Sequence, residues 1–139
     1  MSAEPWSGFL PAGKLNELYA AGIHRYGGDG SPPAPGCHER SVGSAWLAEE
    51  YLDEQDVSNR RGLLFAAHLL YYLAFNHCHS DGNKRLAWAA SMYALSAAGL
   101  TLQATTDEGA ELVSSILNKQ IPDGLAVARW MADRLLAAY

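Results

Sequence analysis

Residues 62–98 read GLLFAAHLLYYLAFN-HCHSDGNKR-LAWAASMYALSAA, in which nine mostly polar residues lie between two apolar segments. Apart from aromatic residues, the first segment (62–75) has one polar side chain, His68, and the second (86–98) has only Ser91 and Ser96. Segments that are apolar on all sides are typical of helices buried in a core. The sequence therefore predicts a central helical hairpin that exposes the polar segment, residues 77–85.

The rest of the chain also favours helices, because alanine and leucine are common whereas valine and isoleucine are sparse. We predict an all-α fold, a compact bundle of about six helices around the central hairpin, in one domain spanning residues 1–139. Periodicity and capping residues predict the helices as follows. They run from about Leu15 to Gly27, over residues 41–52, from a cap at Ser58 to about Asn76, from Asn83 or Lys84 to Gly99, from Thr105 or Thr106 to about Lys119, and from Pro122 to about Leu136.

Two segments are predicted to be irregular. Residues 1–11 contain Trp6 and Phe9 among prolines, which indicates an N-terminal arm held to the core by its aromatic rings. Residues 27–36, with the sequence GGDGSPPAPG, are rich in turn-forming residues. They are too short for a linker between domains, so we expect a surface loop.

Charge and cysteine content restrict the partners and the compartment. The net charge of −5 gives no strong attraction to nucleic acid or to an anionic membrane, so neither is expected as a partner. No apolar run is long enough to span a bilayer, and no secretory signal is found. We therefore predict a cytoplasmic protein in which Cys37 and Cys78 are free thiols.

The polar segment contains groups that bind anions. The start of the second central helix leaves backbone N–H groups without partners, and Gly82 lets a ligand approach the backbone closely. Lys84 and Arg85 lie in the first turn of that helix, where positive charge is unfavourable unless an anion balances it. The pattern predicts a phosphate site built from residues 82–85.

Two further side chains supply reactive groups beside this site. Asp81 offers a carboxylate that can bind Mg²⁺ together with phosphate oxygens, although it can also cap the following helix. His77 offers an imidazole that can take a proton from an attacking hydroxyl, although it can also cap the preceding helix. A base, a metal ligand and an anion site are the parts that phosphoryl or nucleotidyl transfer requires.

A zinc site is an alternative use of the same region. The possible ligands are Cys37, His38, His77, Cys78, His79 and Asp81. Their spacing matches no standard structural zinc pattern, and consecutive residues at a helix end point in different directions. We therefore favour phosphate chemistry.

The polar segment resembles the signature of the Fic/Doc family, His-x-Phe-x-Asp/Glu-Gly-Asn-Gly/Lys-Arg, with His79 at the phenylalanine position. Residues 24–28 (HRYGG) resemble an early element of the death-on-curing (Doc) branch, and residues 66–76 resemble the helix that leads into the signature. The resemblance extends over roughly residues 14–136, and the polar segment is its specific part.

The resemblance implies a Fic fold and a role for each matching residue. His77 would be the catalytic base, and Asp81 would hold Mg²⁺. Gly82 and Asn83 would form the phosphate-binding turn, and Arg85 would contact the phosphates of ATP.

Lys84 bears on the reaction that the resemblance implies. Family members with glycine at this position generally transfer AMP, whereas lysine is typical of Doc-like toxins. The chain is thus similar to toxins that move the γ-phosphate of ATP to a threonine of elongation factor Tu, a translation factor, and that an antitoxin silences by docking a C-terminal segment near the site. The alternatives are an AMP-transferring enzyme and a binding module whose site has decayed.

His79 is the departure from the family pattern. The family phenylalanine packs inward, so a histidine without a hydrogen-bond partner there would cost about 1–3 kcal/mol. Either the segment folds with His79 hydrogen-bonded, or the segment is poorly held in place and the site is weakly active or inactive. The self-inhibitory element Ser/Thr-x-x-x-Glu-Gly is not found, because Ala104 stands at the required place before Glu108.

Overall fold

The computed structural model describes residues 4–51 and 60–136. Its helices are α1 (Lys14–Tyr26), α2 (Cys37–Tyr51), α3 (Arg60–Asn76), α4 (Asn83–Ala97), α5 (Thr106–Leu117) and α6 (Gly124–Ala132). Within the described residues no β-strand forms, and an isolated antiparallel bridge joins Leu102 to Leu135. The prediction of an all-α fold with about six helices is confirmed.

Helix α3 is the centre of the bundle, because it packs against α2, α4, α5 and α6. Most of its side chains are buried, and Phe65, Leu69 and Leu70 are fully enclosed. Burying one such side chain contributes about 1.5–3 kcal/mol to folding, so these contacts fix the position of the hairpin. Of the helices in residues 4–51 and 60–136, none is both long enough and apolar enough to cross a bilayer.

His68, the polar residue of the first apolar segment, is accommodated inside this core. Its Nδ1 lies 2.7 Å from the carbonyl oxygen of Leu64 one turn earlier, so the buried ring is hydrogen-bonded. The ring also lies against Gly124, where any Cβ would collide with it. The N-terminal end of α6 can therefore approach α3 closely only because a glycine stands there.

The N-terminal arm is held to the core by aromatic rings, as predicted. Trp6 and Phe9 pack on Trp46 of α2, with ring centroids 6.5 Å and 6.4 Å apart. Phe9 also contacts Phe65 of α3 at 5.9 Å, and Leu10 is buried. The described part of the arm thus covers the interface between α2 and α3.

Two predicted helix starts require comment. Helix α2 begins at Cys37, four residues before the predicted Ser41. Ser41 does not cap the helix because its hydroxyl instead donates to the carbonyl oxygen of Cys37 at 2.9 Å, a bond that serine makes inside helices. The predicted cap at Ser58 lies outside the described residues.

The C-terminal part of the chain corrects the prediction for the last helix. Helix α6 begins after Asp123, whose carboxylate accepts from the N–H of Ala126, and it ends at Ala132 instead of near Leu136. The following backbone pairs with residues 101–103: the carbonyl of Arg134 accepts from Gln103 at 2.7 Å, and the N–H of Leu136 donates to Thr101 at 2.9 Å. Those bonds replace the helical ones. Helix α5 is capped by Thr105, one of its two predicted starts: the Thr105 side chain accepts from the N–H of Glu108, and the Glu108 side chain accepts from the N–H of Thr105.

Candidate functional site

The connection between α3 and α4 contains two residues with left-handed backbone conformations. They are His77, with φ of +51°, and Gly82, with φ of +83°. Gly82 is the N-cap of α4 and has no side chain to bond the N–H groups of the first turn. Those N–H groups therefore have no side-chain capping partner, which is the arrangement that binds phosphate at helix starts.

The structure brings the predicted site residues together around one cleft. The cleft has a volume of about 390 Å³ and is lined by His77, Ser80, Asp81, Gly82, Asn83, Lys84 and Arg85. The side chains of His77, Asp81 and Lys84 are exposed, and that of Arg85 is half-buried. Two cations, one carboxylate and one imidazole thus border the uncapped start of α4.

Asp81 is placed where it can serve a metal ion bound to phosphate. Its side chain is exposed at the cleft, while its carbonyl oxygen accepts from the Tyr19 hydroxyl at 3.0 Å. No cluster of three or more His, Cys, Asp or Glu side chains that could hold a metal occurs in residues 4–51 and 60–136. A single carboxylate fits Mg²⁺, which keeps several waters and is commonly bound by one or two carboxylates and the phosphates of a nucleotide.

The side chain of Asn83 holds the turn that precedes α4. Its side chain is buried and bonds the backbone of His79 twice: Oδ1 accepts from the N–H at 2.9 Å, and Nδ2 donates to the carbonyl at 2.5 Å. The side-chain amide therefore shapes the turn and is not free for a phosphate. Its backbone N–H, in the first turn of α4, remains available to one.

Arg85 connects the cleft to a second, more apolar groove. Its guanidinium donates to the carbonyl of Gly27 at 3.0 Å and lies 5.3 Å from the ring centre of Tyr26. The groove has a volume of about 230 Å³ and runs between α1 and α4, and Gly82 and Arg85 line both spaces. A ligand with its charged end in the cleft can thus extend an apolar end into the groove.

The loop formed by residues 27–36 is fastened to the polar segment by hydrogen bonds. The Ser80 hydroxyl donates to the Asp29 carboxylate and lies 2.8 Å from the Ser31 hydroxyl, which accepts from the Ser80 N–H at 3.2 Å. The bond from Ser80 lowers the pKa of Asp29 most, followed by the bond from the Ser31 N–H. The charged form of Asp29 is therefore the one that holds the loop beside the cleft.

His79 is hydrogen-bonded, which is one of the two outcomes expected for this departure from the signature. Its Nδ1 lies 2.8 Å from the carbonyl oxygen of Ser31, and its Nε2 lies 2.9 Å from Nε2 of His38. Its ring stacks on Tyr19 with centroids 3.6 Å apart. The imidazole ring of His79 is buried and both of its nitrogens have hydrogen-bond partners, so the turn is formed and held in place.

The two cysteines correct the prediction of free thiols. Cys37 and Cys78 form a disulfide that joins the first residue of α2 to the polar segment. The prediction was wrong because it was based on the expected compartment, whereas the fold brings these two residues, 41 positions apart, into contact. The zinc alternative fails as well, since both sulfurs are bonded to each other and no metal-binding cluster occurs among the described residues.

Comparison with known proteins agrees with this geometry. The model of the Fic/DOC family matches residues 14–95, which span α1 through most of α4 and include the whole polar segment. The chain belongs to the Fic/DOC family. Domains of this family are typically nucleotidyl- or phosphotransferases, which accords with a cleft that has two cations at the uncapped start of α4. No curated protein matches the chain with significance.

Several residues that shape the site of this Fic/DOC protein were missed by sequence reasoning. Tyr19, Asp29, Ser31 and His38 lie on α1, on the loop and on α2, far from the signature in the chain. One signal was present: Cys37-His38 and Cys78-His79 repeat the same dipeptide, and each residue of one pair contacts its counterpart in the other.

Proposed function

We propose that this Fic/DOC protein transfers a phosphate group from ATP to a hydroxyl of a cytosolic protein and acts as the toxin of a toxin–antitoxin pair. Lys84 supports phosphate transfer over AMP transfer, because lysine at this place in the signature is the mark of Doc-like toxins. A translation factor such as elongation factor Tu is the target that this resemblance implies.

One observation carries the proposal: the uncapped start of α4 at Gly82 lies in a single cleft with His77, Asp81, Lys84 and Arg85. Lysine and arginine in the first turn oppose the helix dipole, so their presence is favourable only when an anion binds there. A triphosphate supplies that anion. The backbone N–H groups and the two cations can then stabilise the charge that develops during transfer.

In the proposed reaction His77 acts as the base. Its ring is exposed at the cleft and is not hydrogen-bonded to any described residue, so the neutral imidazole can take the proton of the target hydroxyl. The hydroxyl oxygen then forms a bond to the γ-phosphorus while the bond from that phosphorus to the bridging oxygen breaks. ADP leaves with the electron pair of the broken bond.

Mg²⁺ fits the carboxylate of Asp81, as argued above. When bound, the ion would neutralise part of the phosphate charge. The N–H groups of residues 83–85 would hydrogen-bond the phosphates. The apolar groove next to Arg85 would receive the nucleoside, with the exposed ring of Tyr26 as a stacking surface.

Label transfer tests the proposed reaction. Purified protein with Mg²⁺ and γ-labelled ATP should label elongation factor Tu or another cytosolic protein, and His77→Ala should abolish the label. His24→Ala is the matched control, because His24 is an exposed histidine of α1 that does not line the cleft. Label that moves only from α-labelled ATP establishes AMP transfer, and no label from either ATP leaves the decayed binding module as the remaining reading.

The toxin role has its own test. Induced expression should arrest bacterial growth, His77→Ala should not, and a partner antitoxin should restore growth by binding near the cleft. Because the disulfide would meet thiol reductants in a cytoplasm, the transfer assay is run with and without dithiothreitol. If growth is unimpaired while the protein still labels its target, the protein is an enzyme but not a toxin.

A further inference from the structure

The contact between His38 and His79 allows one arrangement of protons when both rings are neutral. The Ser31 carbonyl can only accept, so Nδ1 of His79 carries a hydrogen. A neutral His79 then accepts at Nε2, and the hydrogen in the 2.9 Å contact belongs to Nε2 of His38. If both rings were protonated, two N–H groups would face each other and the bond would be lost.

Burial favours the neutral form of His38. The two residues are 7% and 3% exposed. Burial is the largest cause that lowers the pKa of His38, and the neighbouring His79 lowers it further, while Glu39 opposes both. The other titratable groups around the pair are Tyr19, stacked on His79, and Asp29, which interacts with His79 through its charge.

The pair is connected to the cleft through the backbone of the polar segment. The N–H and the carbonyl of His79 are both bonded by the side chain of Asn83, the first residue of α4. Tyr19, whose ring stacks on His79, donates to the carbonyl of Asp81. A displacement of His79 would therefore move the turn that carries both His77 and the phosphate-binding N–H groups.

We propose that His38 is a positioning residue for the transfer site: it holds His79, and through His79 the turn between His77 and Gly82, by an imidazole–imidazole hydrogen bond that replaces an apolar anchor. His38 does not line the cleft and is not expected to touch the substrate. This inference rests on the proposed function, because positioning is measured through transfer.

Two single variants and a compensating double variant test the proposal. His38→Ala leaves His79 Nε2 without a partner, and His79→Phe leaves His38 Nε2–H without an acceptor; we expect each to lower kcat about tenfold, with a smaller effect on the KM for ATP. The pair His38→Leu with His79→Phe removes both polar groups and should recover kcat to within about threefold of wild type. The proposal is overturned if His38→Ala retains full kcat, or if the double variant is no better than the single ones.

A matched control separates positioning from general destabilisation. His68 is also buried and hydrogen-bonded, but it lies mid-way along α3 and does not line the cleft. His68→Gln should lower the melting temperature and leave kcat unchanged when assayed well below that temperature. An equal loss of kcat in His68→Gln would assign the effect of His38 to stability and contradict the proposal.

Ring-nitrogen NMR provides a readout that does not depend on activity. In ¹⁵N-histidine-labelled wild type, His79 should carry its hydrogen on Nδ1 and His38 on Nε2, and His38→Ala should shift the amide resonances of residues 77–83. The opposite tautomers, or unmoved amides, would overturn the inference. If these NMR results are obtained but no transfer is detected, only the proposed function is refuted.

Discussion

The side-chain amide of Asn83 closes a ring with the backbone of His79, accepting from its N–H at 2.9 Å and donating to its carbonyl at 2.5 Å. Because both bonds are buried, Asn83→Ala should reduce the free energy of unfolding by about 2 kcal/mol, measured by urea denaturation. Asn118→Ala is the control, since Asn118 is exposed at the end of α5 and its replacement should cost less than about 0.5 kcal/mol. Equal stability of the two variants would show that the ring is not formed.

Gly28 leaves space for the carboxylate of Asp81. A Cβ at Gly28 would lie 2.8 Å from Oδ2 of Asp81 and 2.7 Å from Cδ1 of Ile23. We expect Gly28→Ala to displace the carboxylate and lower transfer about tenfold at fixed Mg²⁺, with partial recovery as Mg²⁺ is raised.

Gly27→Ala is the matched control for that substitution. Gly27 also has a positive φ, but a Cβ there meets no atom within 4 Å. It should therefore cost only backbone strain, about 1–3 kcal/mol, and leave the Mg²⁺ dependence unchanged. The assigned place of Asp81 would be wrong if both alanines shifted the Mg²⁺ dependence equally.

The disulfide between Cys37 and Cys78 closes a loop with a sequence separation of 41. Removing it should lower the free energy of unfolding by about 3–4 kcal/mol, through the entropy of the unfolded chain. The Cys37→Ser and Cys78→Ser variants and the reduced wild type should agree in denaturation experiments. The chain has only these two cysteines. Any alkylation of the unreduced protein would therefore count directly against the linkage.

Tyr26 is the exposed ring at the apolar groove beside Arg85. If the nucleoside stacks on it, Tyr26→Ala should raise the KM for ATP about five- to tenfold with little change in kcat, because base–aromatic stacking is worth about 1–3 kcal/mol. Phe75 has the same 59% exposure but lies at the end of α3 and lines neither space, so Phe75→Ala is a matched control. A KM unaffected by Tyr26→Ala would place the nucleoside elsewhere.

The parts of this molecule that could be predicted from sequence are the local ones. The apolar segments on both sides of residues 77–85 specify the α3–α4 hairpin, because helices without a polar face must be buried. The cleft residues are His77 and the run from Ser80 to Arg85, which are close together in the chain, so one turn is enough to bring them to the same cleft. By contrast, the end of α6 depends on backbone pairing with residues 101–103, and the local sequence around the end of α6 does not predict that pairing.

The residues that complete the site could not be predicted because only the fold brings them together. His38 lies in the first turn of α2 and Tyr19 lies on α1, yet both contact His79. The cost of about 1–3 kcal/mol expected for a buried histidine at position 79 applies only if its ring has no hydrogen-bond partner. Ser31 and His38 supply those partners from distant parts of the chain, so the departure from the family pattern is compensated in three dimensions.

The two buried histidines with lowered pKa values predict how stability depends on pH. Burial is the main cause that lowers the pKa of His38 and of His68 below the ordinary 6.5. As pH falls below about 6.5, the unfolded chain takes up protons at these positions before the folded protein does. Stability is thus fully present above that pH and declines as pH falls toward the folded-state pKa values. The melting temperature should decrease between pH 7 and 5, and less steeply in the His38→Leu, His79→Phe double variant, where His68 remains. An identical slope in wild type and double variant would mean that the fold does not hold His38 neutral.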